Sequence, residues 1–309
     1  MKFGTTLAAA AVGAVLLATT TACGSATSAA DKSGSGALSD SVPHVKADPA
    51  AIKLLPENLQ KGGTITMVAD LHYPPTSFLA KDNKTPVGYN VEIARLLGEE
   101  LGLKVKIENV PWDNVIPGLA SGRYDFTATN MSPKPERLQV LDMVTYWEAG
   151  SSLLVQKGNP DKLSIADHST CGKKIAVMTG STQQQEYLPQ ISAACEAAGE
   201  KAVDAVVLGN VEGALTQLVA HRIDGIFSDT SQLAWAAKQQ PQAFELLSPQ
   251  YKKQDGSNDI VALGLPKNSP LTEAIHAAMQ SLMDSPAYKE TLDRWGLGAG
   301  AISTSEILR

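Results

Sequence analysis

Lys174-Ile175-Ala176-Val177-Met178-Thr179-Gly180-Ser181-Thr182-Gln183 is the stretch that decides the fold. Its apolar run, 174–178, is strand-like and ends in small polar residues. A helical pattern over 182–198 follows at once. A strand that turns directly into a helix is the repeating unit of a parallel α/β sheet.

The same unit recurs on both sides. Downstream, strands are expected at 205–208 and 225–228, with helices at 212–220 and 231–239. A further strand at 260–265 precedes helices near 270–283 and 286–295. Upstream, a strand at 64–69 ends at Asp70, and the turn-rich Tyr73-Pro74-Pro75 follows. A helix then carries Ile93, Leu96, Leu97 and Leu101 at helical spacing, with Asn90 as its cap and Gly102 as its stop. Strands at 104–110 and 124–129, a helix at 114–120 and another starting near Pro135 complete this series. The strand at 151–156 leaves it. Two α/β series imply two lobes.

Composition narrows the class. The chain has 309 residues, net charge -6 and 5% aromatic residues. Nucleic-acid binders show a basic stripe interleaved with aromatics, and none is present, so no nucleic-acid partner is expected. Lys2 precedes an apolar run over 7–18 that is too short to span a bilayer, which marks an export signal. Thr20-Thr21-Ala22-Cys23-Gly24 resembles a lipobox, with Thr20 where an aliphatic residue is usual. Lipidation of Cys23 is expected; ordinary secretory cleavage nearby is the alternative. The expected layout is a signal peptide over 1–22, a Ser/Ala/Gly-rich flexible tether over 23–58, and lobe 1 over 59–150. Lobe 2 then spans 151–254, and 255–309 returns to lobe 1. With Cys23 lipidated, Cys171 and Cys195 remain as a pair for a disulfide in an oxidising compartment, the alternative being two free thiols. No His clusters with either along the chain, so no metal is expected.

Ligands of open α/β sheets bind beyond the carboxyl ends of strands. Those ends carry Asp70, then Thr129-Asn130-Met131-Ser132, then Thr179-Gly180-Ser181-Thr182-Gln183, then Asp229, with Arg137 and Trp112 close behind. Arg137 suits a carboxylate and Asp229 an ammonium. Trp112 and Tyr73 suit the faces of an aliphatic or cationic side chain. Each also has a plainer reading: Ser132, Ser181, Thr182 and Asp229 as helix caps, Arg137 as a surface ion pair, Trp112 as core. Asp70 is either a ligand for a side-chain cation or amide, or an anchor for the Tyr73 turn.

An ordered series of motifs carries a resemblance. It comprises Tyr73-Pro74-Pro75, Val87-Gly88-Tyr89-Asn90-Val91-Glu92, Pro111-Trp112-Asp113-Asn114, Ser121-Gly122-Arg123-Tyr124-Asp125 and Met131-Ser132-Pro133-Lys134-Pro135-Glu136-Arg137. Gly180-Ser181-Thr182, His221-Arg222-Ile223-Asp224-Gly225 and Arg294-Trp295-Gly296 follow in the second half. From residue 62 to about 296 the chain resembles the bacterial extracellular solute-binding proteins for polar amino acids. The resemblance implies the two-lobed, periplasmic-binding-protein-like type II fold with two crossing strands, capture of a free amino acid by hinge closure, and delivery to an ABC permease. It implies a monomer on the outer face of the membrane, with no cofactor and no catalysis. By the resemblance, Arg137, Ser132 and the backbone near Thr182 take the carboxylate, while Asp229 and the Asn130 region take the ammonium. Tyr73 and Trp112 flank the side chain, and Asp70 and Thr129 face its far end. Lys, Arg, ornithine or Gln are the favoured ligands. Three positions depart from the family: Lys134 for a capping Thr, Thr76 for a larger apolar residue, and Asn90 for Asp. The competing functions are a dehydratase-like enzyme using His72 and a sensor subunit.

Overall fold

The computed structural model describes residues 42–253 and 259–309. The expected signal peptide, Cys23 and the tether as far as residue 41 lie outside the described residues. Among the described residues no helix is long and apolar enough to cross a membrane.

Residues 42–58 depart from the flexible tether expected of them. Asp48 accepts from the Ala50 N–H at 2.8 Å and caps helix α1 (Pro49–Lys53), with proline at its start. The Asp48 N–H donates to the Glu100 carbonyl at 2.7 Å, and Ala51 and Leu55 are buried in the core of lobe 1. An Asp-Pro helix start outweighs the Ser/Ala/Gly texture upstream of it.

The chain then runs through β1 (Thr64–Ala69), β2 (His72–Tyr73), β3 (Ser77–Leu79), β4 (Pro86–Val87), α2 (Tyr89–Glu100) and β5 (Lys104–Asn109). After a 3-10 turn at Trp112–Asn114 come α3 (Val115–Ala120), β6 (Phe126–Met131), α4 (Pro135–Leu138) and β7 (Leu141–Ala149). Gly150 separates β7 from β8 (Ser151–Gln156). Lobe 2 continues with β9 (Lys174–Met178), a π-helical turn (Gln183–Tyr187) running into α5 (Leu188–Ala197), and β10 (Asp204–Leu208). It closes with α6 (Val211–Val219), β11 (Gly225–Asp229), α7 (Thr230–Gln239) and β12 (Phe244–Leu246). The return to lobe 1 is β13 (Asp259–Pro266), α8 (Thr272–Asp284), α9 (Pro286–Arg294) and β14 (Ile307–Leu308).

Lobe 1 is a six-stranded sheet in the order β14-β7-β13-β6-β1-β5, and lobe 2 a five-stranded sheet in the order β10-β9-β11-β8-β12. In each, parallel strands carry the helices (β5, β1 and β6; β10, β9 and β11) and antiparallel strands complete the sheet. The central strands of each sheet are buried on both faces. Ile175 and Val177 pack into one lobe-2 cluster, while Ala176 and Met178 pack into the other. This two-sided burial is why the strands read as apolar runs. Two crossings join the lobes. One is the β7–Gly150–β8 passage; the other brings Tyr251 beside Ser151 and Asp259 beside Ala149.

Three local differences from the sequence reading have physical causes. Strand β7 is absent from that reading; it is buried throughout except at Glu148, with β13 on one side and β14 on the other, so it shows no alternation. Helix α2 is capped by Gly88, not Asn90. Gly88 has φ 121°, and a Cβ there would stand 2.5 Å from the Thr76 carbonyl oxygen, so only glycine fits. Strand β6 runs on past residue 129 and contains Asn130 in a left-handed conformation, φ 50°.

Cys171 and Cys195 are joined by a disulfide, with Cα atoms 5.6 Å apart. It ties α5 to the loop that leads into β9. His168 and Glu200 lie beside Cys171, a grouping not apparent along the chain, but its sulfur is held in the disulfide and offers no thiolate to a metal. Replacing both cysteines by alanine removes a closed loop of 24 residues' separation. The expected cost is about 3 kcal/mol, read in calorimetry as a melting point roughly 6–12 °C lower, with cleft affinity retained. An unchanged melting point would assign the disulfide no stabilising role.

Candidate functional site

The carboxyl ends of β1, β6, β9 and β11 face one cleft between the lobes, enclosing about 590 Å³ including its open mouth. That size suits a small metabolite. Asp70, Tyr73, Trp112, Thr129, Asn130, Ser132, Arg137, Ser181, Thr182 and Asp229 all line it. Thr76 lines it too, as the departure at that position implies, and so does Gln183, which follows the β9 strand end; Ser77, Asn90 and Met178 line it as well, and the sequence reading does not assign those three to it.

Two opposite charges dominate the cleft. Arg137 of α4 is buried, 5% exposed. Its Nη1 donates to the Ser132 carbonyl at 2.8 Å and its Nη2 to the Gly180 carbonyl of lobe 2 at 3.1 Å. Its guanidinium lies 5.7 Å from the centre of the Trp112 ring. Burial lowers its pKa, so the charge is held at a cost. A guanidinium has five N–H donors, so about three remain for a ligand.

Asp229 stands at the end of β11, at the cap position of α7, yet its side chain makes no capping bond. Its Oδ2 accepts from the Tyr73 hydroxyl at 2.9 Å and from Asn130 Nδ2 at 3.3 Å, and its Oδ1 from Gln183 Nε2 at 2.9 Å. All three donors are neutral. Burial raises the Asp229 pKa, and the three hydrogen bonds oppose that shift. Tyr73 is held well above its usual pKa, first by burial and then by Asp229, so it stays a donor. Among the described residues neither Arg137 nor Asp229 has an ion pair. A buried charge without a counter-charge costs several kcal/mol. The cleft therefore presents an unmatched cation on lobe 1 and an unmatched anion on lobe 2.

Gln183 gives a weak sequence signal, since it follows Ser181 and Thr182 at a helix start. Its amide also donates to Ser151 Oγ at 2.8 Å, so it braces Asp229 against the first residue of the crossing strand. Ser181 Oγ accepts from the Gln184 N–H at 3.1 Å and does cap its helix while lining the cleft. Thr182 is buried and makes no side-chain capping bond. Gly180, φ 70°, would bring a Cβ to 3.4 Å from Trp112 Nε1, a close approach between the lobes.

Asp70 makes the bonds of a structural anchor at the edge of the cleft. Its Oδ1 accepts from the His72 N–H at 3.0 Å and lies 2.8 Å from His72 Nδ1, and its Oδ2 accepts from the Trp112 N–H at 3.1 Å. It thus anchors the turn and Trp112 while still lining the cleft. Thr129 Oγ1 accepts from Thr127 Oγ1 at 3.2 Å. The His72 side chain is 60% exposed and does not line the cleft.

The departures at Lys134 and Asn90 have structural outcomes. Helix α4 has no side-chain cap, and Lys134 instead reaches lobe 2, with Nζ 3.4 Å from Gln185 Oε1 and 3.8 Å from Glu186 Oε2. Asn90 is fully buried, donating to Ser77 Oγ at 3.1 Å and Asn130 Oδ1 at 3.2 Å and accepting from the Tyr146 hydroxyl at 2.7 Å.

Two α/β lobes, two crossings and a charged cleft between them define the two-lobed solute-binding class. Residues 65–298 match the bacterial extracellular solute-binding proteins, family 3, and the chain belongs to that family. The arginine-binding protein ArgT of Corynebacterium glutamicum is 25% identical over 268 residues, covering 87% of this chain and 84% of the relative. The L-cystine-binding protein TcyJ of Escherichia coli is 26% identical over 238 residues, covering 77% and 84%. An ancestral arginine-binding protein bound to arginine superposes with a TM-score of 0.66 at 26% identity, covering 76% of this chain and 98% of that one. An ancestral amino-acid-binding protein described as a precursor of cyclohexadienyl dehydratase gives 0.65 at 25% identity, covering 75% and 95%.

The raised pKa of Asp229 has a consequence for stability. A folded pKa above the unfolded one means that the ionised group costs stability above that range, and the cost fades as pH falls through it. Asp229→Asn should raise the melting point of the ligand-free protein at pH 7 by roughly 2–4 °C, with the gain vanishing at acid pH. Gln183 can accommodate the new amide by turning its own. A drop of several degrees at pH 7 in calorimetry would make Asp229 a structural anchor.

Proposed function

We propose that this protein captures a free L-amino acid, best a basic one, by closing its lobes around it, and passes it to an ABC permease. The observation that carries this reading is the pair of unmatched charges, the buried Arg137 on lobe 1 and the half-buried Asp229 on lobe 2. A zwitterion supplies both missing counter-charges with one molecule. The α-carboxylate meets the remaining Arg137 donors and the backbone N–H groups that a helix start leaves free at Thr182. The α-ammonium meets Asp229, which Tyr73, Asn130 and Gln183 hold in place. Contacts that need both lobes at once favour the closed form, which is the requirement for ligand-driven closure.

The side chain then extends past Trp112 toward Asp70 and Thr129. By count of lone pairs, Asp70 Oδ2 keeps one acceptor site beyond the Trp112 N–H. That favours a guanidinium or ammonium over a carboxylate. The arginine-binding relatives agree with this choice, and the cystine-binding relative makes cystine the first neutral competitor to test. Lipidation of Cys23, the tether before residue 42 and a monomeric body are the arrangement we infer for holding the protein at the membrane. A dehydratase reading is less well supported, because His72 bonds Asp70 outside the cleft and Arg137 and Asp229 suit a ligand that is bound without reaction.

A thermal-shift screen of the twenty amino acids with ornithine, citrulline and cystine should give the largest shifts for arginine, lysine or ornithine. Arg137→Ala should lower affinity by calorimetry by more than about 100-fold, the loss of a buried charge-assisted pair. Asp70→Asn should weaken arginine far more than glutamine. The largest shift falling on glutamate or aspartate would overturn the basic assignment, and full affinity in Arg137→Ala would overturn the zwitterion site.

A further inference from the structure

We propose that Trp235 sets how long the ligand stays bound: it is the lobe-2 half of an aromatic cluster that closes on Phe78 and Trp295 of lobe 1. The proposal rests on the hinge-closure reading above. The Trp235 ring lies 5.8 Å from Phe78 and 6.5 Å from Trp295, centre to centre. Phe78 and Trp295 meet each other edge-on at 5.8 Å within lobe 1, so their platform exists without lobe 2. Phe78 packs on the lobe-1 core, and Trp295 belongs to it.

Trp235 is different. Helix α7 packs on its own sheet through Leu233, Ala236 and Ala237, and Trp235 takes no part in the apolar clusters of lobe 2 among the described residues. It is half-buried, and its ring neighbours are both on lobe 1. It does not line the ligand cleft. Its helix begins directly after Asp229, and Phe78 follows Ser77, which does line the cleft. The three rings therefore come together on the same two elements that bring ligand groups within reach, and opening the lobes must pull Trp235 off its platform. Packing that opening breaks, and that has not yet formed when the ligand first arrives, acts on dissociation and spares association.

The test is a chase experiment with radiolabelled L-arginine on the full mature protein, comparing wild type, Trp235→Ala, Trp235→Phe and Phe78→Leu, with association rates from stopped flow. Trp235→Ala should release arginine about tenfold faster, with an unchanged association rate. Trp235→Phe should fall between the two. Combining Trp235→Ala with Phe78→Leu should add less than the product of the single effects, because both remove the same ring pair. Equal release rates for wild type and Trp235→Ala, or for wild type and Trp235→Phe should the alanine variant not fold, overturn the proposal and leave the amino-acid reading standing. If wild type holds no amino acid in the screen, that reading fails and takes this one with it.

Discussion

The structure is organised around two opposite charges that never meet. Arg137 and Asp229 sit on different lobes, both held away from bulk water, each hydrogen-bonded only to neutral groups. Left to themselves such groups would pair with each other, pair with neighbours or neutralise. Here burial works against the charge of each, and the hydrogen bonds to Asp229 oppose that shift. The dipole of α7, which begins at Asp229, favours the carboxylate. Stability is given up at this point so that a third body can complete the electrostatics.

The neutral network behind Asp229 gives it a direction. The Tyr146 hydroxyl donates to Asn90 Oδ1, Asn90 Nδ2 donates to Asn130 Oδ1, and Asn130 Nδ2 donates to Asp229. Each amide along this line accepts on its oxygen and donates from its nitrogen. An aspartate at position 90 would accept from Tyr146 but could not pass a donor on to Asn130 when ionised. The amide therefore does here what a helix cap would not, and the cap falls to Gly88 instead. The left-handed backbone at Asn130 belongs to the same arrangement, since asparagine tolerates that conformation better than most side chains.

The order of strands and helices, the cleft at the strand ends and the disulfide are legible because each rests on local pattern or on a count of cysteines. What the sequence conceals depends on neighbours far away in the chain. Strand β7 carries no period because partners cover both its edges and apolar groups both its faces. The tether reads as too long because α1 is only five residues long, packs against the distant α8, and is preceded by Asp48, whose N–H donates to the Glu100 carbonyl of α2. Gln183 is legible as a strand-end residue but its role is not, because a glutamine at a helix start is ordinary until its amide is seen to reach both Asp229 and Ser151. Lys134 is the clearest case. Its unsuitability as a cap can be read, but its placement against Gln185 and Glu186 belongs to the other lobe.

Contacts between the lobes fall into two kinds with opposite demands. In the function proposed above, closing on a zwitterion would satisfy Arg137 and Asp229, a gain that only the right ligand provides. Contacts such as Lys134 with Gln185 and Glu186 form whether or not the ligand is right. Burial lowers the Lys134 pKa, and so does the nearby Arg137, so closing around a charged lysine carries its own electrostatic cost. If opening returns the ammonium to water, that cost opposes closure of the loaded and the empty protein alike, and sets a threshold that the contacts made by the ligand must exceed. A binding protein that must both hold its ligand and give it up needs the closed form to win by a modest margin, and only when loaded. Placing an awkward cation at the lobe interface, beside a cleft whose charges await a partner, keeps that margin dependent on the ligand.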